Sequence, residues 1–386
     1  MVEAAAGGYP CGLHAQPPPP ERRRQRQGRD ADSLDPIEID SDYDYDDQHR
    51  HRKADAAAEP RQEHCRSHAG LEVDPLHHGK DARGIPGDVA DLIEHIKAVS
   101  NGDKIIPQSM AEDVKKGLDL LDPAIDDRNT YAANRWLPDA DADGQDDSIT
   151  WDVADEFRML QKIVAKTSEC DAEYLSEPSW NCTVHHPLLE LALAPFQGSV
   201  SHWDVTKAPI TKAYHPLHSS GNDLQGKMVD FCVTLDSEAI RHRVIERLKT
   251  SNHESIAHTE YPALRFRPIA ISIETKTPGG STETARTQLA VWASAHIARL
   301  RELAATADDA AGLGITLPLI SIRGAEWDLL FAVDHATSVE IVRIGPIGDT
   351  TSIVSCYKLL AMIRWLTVWV TGTFCEWMVK NALVVS

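Results

Sequence analysis

The apolar positions of this chain fall into two periods. From residue 86 onward, runs spaced three and four apart predict helices. The first covers Asp88–Ile96, with Val89, Leu92, Ile93 and Ile96 on one face. A second covers Met110–Leu121 and stops before Pro123, and a third covers Trp151–Ala165, striped by Val153, Phe157, Leu160, Ile163 and Val164. Proline in a first turn predicts a further helix from about Pro187, carrying Leu188, Leu189, Leu191 and Leu193 with Glu190 among them. His185 and His186 precede it on what reads as an extended segment, where neighbouring side chains face opposite ways. Capping and packing are the roles expected of them.

Short runs with period two predict strands. These are Val200–Val205, Gly226–Leu235, Ile269–Lys276, Thr316–Ile322, Glu326–Val333 and Ser338–Ile344. Helices are expected between and after them, at Ser237–Leu248, Thr282–Leu303 and Ser352–Val379. The last is apolar enough to raise a membrane span. Arg364 and Gly372 interrupt it, however, and the unbroken run falls short of the ~20 residues a span requires. A helix lying on the domain is expected, with no membrane.

Composition changes the picture at the N-terminus. Of all 386 residues 42% are hydrophobic, but few of these lie in the first 88, which read as a disordered tail. The tail holds the basic run Arg22–Arg26, readable as a nuclear-import signal or a solvated charge run. It also holds Pro36-Ile37-Glu38-Ile39-Asp40-Ser41-Asp42, which resembles SUMO-interacting stretches that add a strand to a partner's sheet through Ile37 and Ile39. The organisation expected is a tail over 1–88, a helical lead-in over 89–170 and the main domain, on which it packs, over 171–386. A net charge of −20 argues against a general nucleic-acid-binding coat. Seven cysteines without a CxxC pair indicate neither a disulfide framework nor a zinc site. No secretory signal is evident, so a nuclear or cytoplasmic location is expected, nuclear favoured. The Asp139–Gly144 run opens like a calcium loop but carries Thr150 where the bidentate glutamate belongs, and reads as an acidic surface loop.

Candidate chemistry concentrates on one strand. In Ile269–Lys276, alternation puts Glu274 and Lys276 on the side opposite Ile269, Ile271 and Ile273. A carboxylate and an ammonium then leave the strand together, just before Pro278-Gly279-Gly280. The strand before it carries Asp230. Two carboxylates from neighbouring strand ends make a hard oxygen site suited to Mg²⁺, beside a lysine able to hold water or neutralise phosphate charge. Taken alone, the trio reads as a structural ion pair at a sheet end.

The joint order of Trp180–Leu193, Lys227-Met228-Val229-Asp230, Glu274-Thr275-Lys276, Gln288-Leu289-Ala290-Val291-Trp292 and Leu317–Ser321 resembles the fungal PD-(D/E)XK nuclease-like domain family of the restriction-endonuclease-like superfamily. The resemblance implies an α/β (α+β) fold with an αβββαβ core, a mixed central sheet flanked by helices, and Mg²⁺-dependent hydrolysis of DNA or RNA. It implies Asp230, Glu274, Lys276 and Gln288 as catalytic residues and Asp230, Glu274 and Glu190 as metal contacts. Trp292 stands where the tyrosine of a Gln-x-x-x-Tyr motif would be, and Val229 where the motif's proline would be. The alternative is an inactive nuclear module of the same fold that binds nucleic acid or a protein partner.

Overall fold

The computed structural model describes residues 71–72, 86–117, 125–132, 152–216, 228–304 and 312–384. All lie in one compact unit, Gln62–Ser386. The Arg22–Arg26 run, the Ile37–Ile39 stretch and the Asp139–Gly144 loop fall outside the described residues, as does most of the tail.

Two short strands and two helices open the unit: β1 (Leu71–Glu72), α1 (Ala90–Ser100), β2 (Ile106–Pro107) and α2 (Ala111–Lys116). Strand β3 (Thr130–Tyr131) pairs with β2, and α3 runs over Val153–Ala172 behind an Asp152 cap. Next come α4 (Glu177–Trp180), a π-helical stretch (Asn181–His185) and α5 (His186–Leu193). The remaining elements are β4 (Val200–Asp204), β5 (Phe231–Leu235), α6 (Glu238–Lys249), β6 (Ile269–Lys276), α7 (Thr282–Ala304), β7 (Leu317–Arg323), β8 (Glu326–Asp334), β9 (Val339–Asp349) and α8 (Ile353–Trp369).

One mixed sheet carries the order β1-β9-β8-β7-β6-β5-β4. Strand β5 runs antiparallel to both β4 and β6, and β6 pairs parallel with β7. A parallel neighbour requires a crossover, and α7 supplies it, packing on both β6 and β7. Strands β8 and β9 extend the sheet antiparallel, with β1 parallel on the outer edge. Helix α8 packs on β9, α1 and α5. This is the α+β arrangement expected, with a mixed sheet flanked by helices.

Ile269, Ile271 and Ile273 are at most 1% exposed, each burial contributing about 1.5–3 kcal/mol. The strand is buried on both faces, so its even-numbered positions must be small, uncharged or paired. Ala270 is small, Ser272 accepts a hydrogen bond from Trp292 Nε1 at 3.1 Å, and Glu274 is paired.

The folded unit begins inside the stretch that composition assigns to the tail. Asp88 accepts from Thr316 N at 2.7 Å and from Thr316 Oγ1 at 3.0 Å, and its carbonyl accepts from Trp369 Nε1. His95 stacks on Trp365 with ring centroids 3.4 Å apart. These bonds tie α1 to β7 and α8.

Two expectations are corrected. The helix expected from Pro187 starts ten residues earlier, at Glu177, so His185 and His186 are helical rather than extended. Ser176 followed by Glu177-Pro178 is a start signal of its own: an N-cap residue type, then an acid and a proline in the first turn. The C-terminal helical run, Ile353–Ala382, is long and apolar enough to cross a membrane, contrary to the length argument, but 72% of its most apolar window is buried within the protein. Arg364, the charge that interrupts it, is buried and ion-paired with Glu156 of α3.

Candidate active site

The site forms where the β5–β6 ladder ends. Asp230 immediately precedes β5, and its backbone N–H donates to Ile273 O at 3.0 Å. Two residues further along β6, at Thr275, the Asp230 side chain serves as the acceptor in place of a backbone carbonyl. Oδ2 accepts from Thr275 N and from Thr275 Oγ1, both at 2.8 Å. The carboxylate is thereby fixed against the residue that lies between Glu274 and Lys276.

On the other pleat, Lys276 Nζ donates to Glu274 Oε1 and to Thr275 O, the latter at 2.8 Å. It also lies 3.5 Å from Glu177 Oε2, at the N-terminal end of α4. The site therefore gathers three acids and one amine from three chain segments. Glu274 and Lys276 share a face as the alternation requires, and Asp230 is bonded to the residue between them.

The remaining candidates are placed differently. Gln288, on α7, donates from Nε2 to Met228 O at 3.2 Å, touching the backbone two residues before Asp230. Glu190 is exposed on α5, and among the described residues no hydrogen bond or ion pair joins it to the trio. The helix acid that reaches the site is Glu177 instead. The two acids are 13 residues apart, which on an ideal helix turns the side chain by about 140° from its start. One helix cannot aim both at the same strand end. Trp292 is fully buried and meets His258 edge-on, with centroids 4.3 Å apart.

Several basic residues on neighbouring elements are already engaged. Arg241 and Arg267 pair with Asp236 at 2.6 and 2.8 Å, and Arg247 donates to Ala382 O and Leu303 O. Lys207 and Lys212 are exposed.

Burial dominates the electrostatics. Glu274 is 1% exposed, and its carboxyl is pushed up to about 8. Burial is the main cause, the Asp230 charge adds to it, and Lys276 opposes. Asp230 is also raised, by burial first, with the two Thr275 bonds pulling the other way. Glu177 is raised by burial, against the pull of Lys276. Burial lowers Lys276, but the carboxyls, Glu274 first, outweigh it and keep the ammonium above its ordinary value.

A divalent cation fits this set in one specific respect. Glu274 Oε2 is buried with no hydrogen-bond partner, and Asp230 commits only Oδ2 to Thr275. Unpaired buried carboxylate oxygens are costly unless a cation or donor meets them. Among the described residues, no group of three His, Cys, Asp or Glu forms a ready-made metal cage. That suits a hard ion which keeps several waters and takes only one or two carboxylates.

A helix followed by three antiparallel strands, a crossover helix and a parallel strand, with acids at the ends of the second and third strands, defines a restriction-endonuclease-like nuclease fold. The profile of the PD-(D/E)XK nuclease superfamily matches residues 124–375, well over half of the chain, and the chain belongs to that superfamily. Members generally use divalent metal ions. No curated protein matches the chain significantly.

Proposed function

We propose that the chain is a Mg²⁺-dependent nuclease that hydrolyses phosphodiester bonds of DNA or RNA. Asp230 and Glu274 hold the ion, Lys276 serves the reacting phosphate, Gln288 supports the Asp230 segment, and Glu177 takes the part expected of Glu190. The observation that carries this reading is the set of bonds joining Asp230 to Thr275 and Glu274 to Lys276 at one sheet end, with Glu274 Oε2 left unpaired.

Bound there, the ion would polarise the scissile phosphate and acidify a water. The chain's own part is positional. Asp230 is locked by Thr275, so its second oxygen keeps a fixed direction. Lys276 remains an ammonium because three carboxyls surround it, so it can donate to a phosphate oxygen or a water. Lys276 and Glu177 are the more exposed members, at 15% and 33%, so substrate approaches from their side. Glu274 lies deeper, out of competing water.

Incubation of the purified chain with end-labelled single- and double-stranded DNA and RNA, with Mg²⁺ and with EDTA, tests the reading. Mg²⁺-dependent cleavage that Glu274→Ala and Asp230→Asn each abolish is the expected result. Cleavage unchanged in Glu274→Ala would remove these residues from the reaction. Mg²⁺-independent binding without turnover would favour the inactive nucleic-acid-binding module.

A further inference from the structure

The site residues rest on a second layer of contacts that the nuclease reading does not use. His185, in the π-helical stretch, is completely buried. Its Nε2 lies 2.8 Å from Gly324 O, and its Nδ1 lies 2.9 Å from Asn181 Oδ1. Trp180 stacks on the ring at 5.8 Å, and Trp327 meets it edge-on at 5.8 Å. A carbonyl can only accept, so Nε2 carries the proton and donates. Burial holds the imidazole down at about 4, so the ring is neutral and Nδ1 accepts, with the Asn181 amide turned to present its N–H to the ring.

Gly324 in turn is bound to the site. Its N–H donates to Lys276 O at 2.7 Å. It sits in the tight β7–β8 turn at φ +56°, and a Cβ there would lie 2.6 Å from Pro278 Cγ. Pro278 begins the turn that leads away from Lys276. On the far side of that turn, a Cβ at Gly280 would lie 2.8 Å from Lys276 Cβ, so the Gly280 backbone packs directly on the lysine stem.

His185 and Glu177 lie on one continuous helical run, eight residues apart. The His185–Gly324–Lys276 chain therefore fixes the distance between that helix and the end of β6. The Glu177–Lys276 contact of 3.5 Å spans the same gap.

We propose that His185 is a positioning residue for Lys276: a neutral buried strut that holds the Gly324 turn, and through it the lysine, in register with Glu177 and Glu274. The proposal extends the nuclease reading of this site, but the order of Lys276 can be read without any cleavage.

The test compares His185→Gln, whose amide can donate to Gly324 O, with His185→Met, of similar bulk and no donor. His185→Phe is the second donor-free variant should Met fail to fold. Each is made in the full chain and checked by thermal melting. The first readout, in EDTA, is the side-chain ammonium resonance of Lys276 in ¹⁵N-labelled protein, assigned through Lys276→Arg. The second is kcat and KM on labelled nucleic acid with Mg²⁺.

The expected result is a folded Met or Phe variant whose Lys276 resonance is broadened or lost, while Gln retains it. With Mg²⁺, kcat of the donor-free variant drops at least tenfold and KM moves less than threefold. An unchanged Lys276 resonance in a folded donor-free variant overturns the proposal. A wild-type chain that shows the ordered resonance but no cleavage sinks the nuclease reading and leaves the strut standing.

Discussion

Replacing Glu274 by an uncharged amide should change stability relative to wild type by an amount that grows as pH rises from 5 to 7. The ordinary value of the carboxyl is 4.5, and burial raises it to about 8 in the fold. A group whose folded value is raised binds its proton more tightly when folded. Its favourable contribution is therefore complete below about 4.5 and is lost as pH rises towards about 8. Each unit in that window costs about 1.4 kcal/mol. At pH 7 the wild-type fold carries about 3 kcal/mol of this cost, and at pH 5 less than about 1 kcal/mol. Glu274→Gln has no proton to gain. It keeps an oxygen for Lys276 but buries an amide that finds no partner, a penalty of about 1–3 kcal/mol that does not vary with pH. The clean quantity is thus the difference between the two conditions. Relative to wild type, Glu274→Gln should gain about 2.5–3 kcal/mol on moving from pH 5 to pH 7. Urea melts of both proteins in EDTA at the two pH values measure it. A wild-type-minus-variant difference that is flat between pH 5 and pH 7 would refute the reasoning, because Glu274 would then be ionised in the fold at both. Cleavage should be lost in the same variant.

Other variants separate site from scaffold. Glu177→Gln should lower Mg²⁺-dependent cleavage at least tenfold, whereas Glu190→Gln, on the exposed face of α5, should leave rate and melting temperature unchanged; kinetics on the pair decides which acid serves the site. Glu156→Leu should destabilise the fold by about 3–5 kcal/mol, because the Arg364 charge stays buried without the Glu156 carboxylate, and denaturant melts would show it; a loss below about 1 kcal/mol would mean that its remaining bonds, those to Leu191 O and Ala192 O among them, suffice. Gly324→Ala should cost about 1–2 kcal/mol from the left-handed backbone alone, more if Pro278 cannot move aside, and should lower kcat through Lys276. Stability and cleavage both at wild-type levels would contradict the close packing.

Much of the site could be read from the chain because it depends on local rules. The alternation of Ile269, Ile271 and Ile273 requires Glu274 and Lys276 to share a face, and that pair is where the pattern puts it. The helix between β6 and β7 was legible from its period, and with it the parallel pairing that any crossover helix permits. The helix acid was not legible. Glu190 stands in the most apolar part of its helix and therefore draws notice, whereas Glu177 stands before a tryptophan and a polar stretch that resemble a loop.

The sequence alone determined the strands, their faces and the pairing of Glu274 with Lys276, because the pleat repeats every two residues whatever surrounds it. Only the tertiary structure decided which remote groups meet that pair. Asp230 reaches Thr275 because the β5–β6 ladder opens at its end, Glu177 rather than Glu190 faces Lys276 because the helix docks by its N-terminal end, and His185 bears on Gly324, 139 residues away in sequence. The register of an antiparallel pair and the rotation of a docked helix are set by the packing of whole elements, and no local period of the chain encodes them.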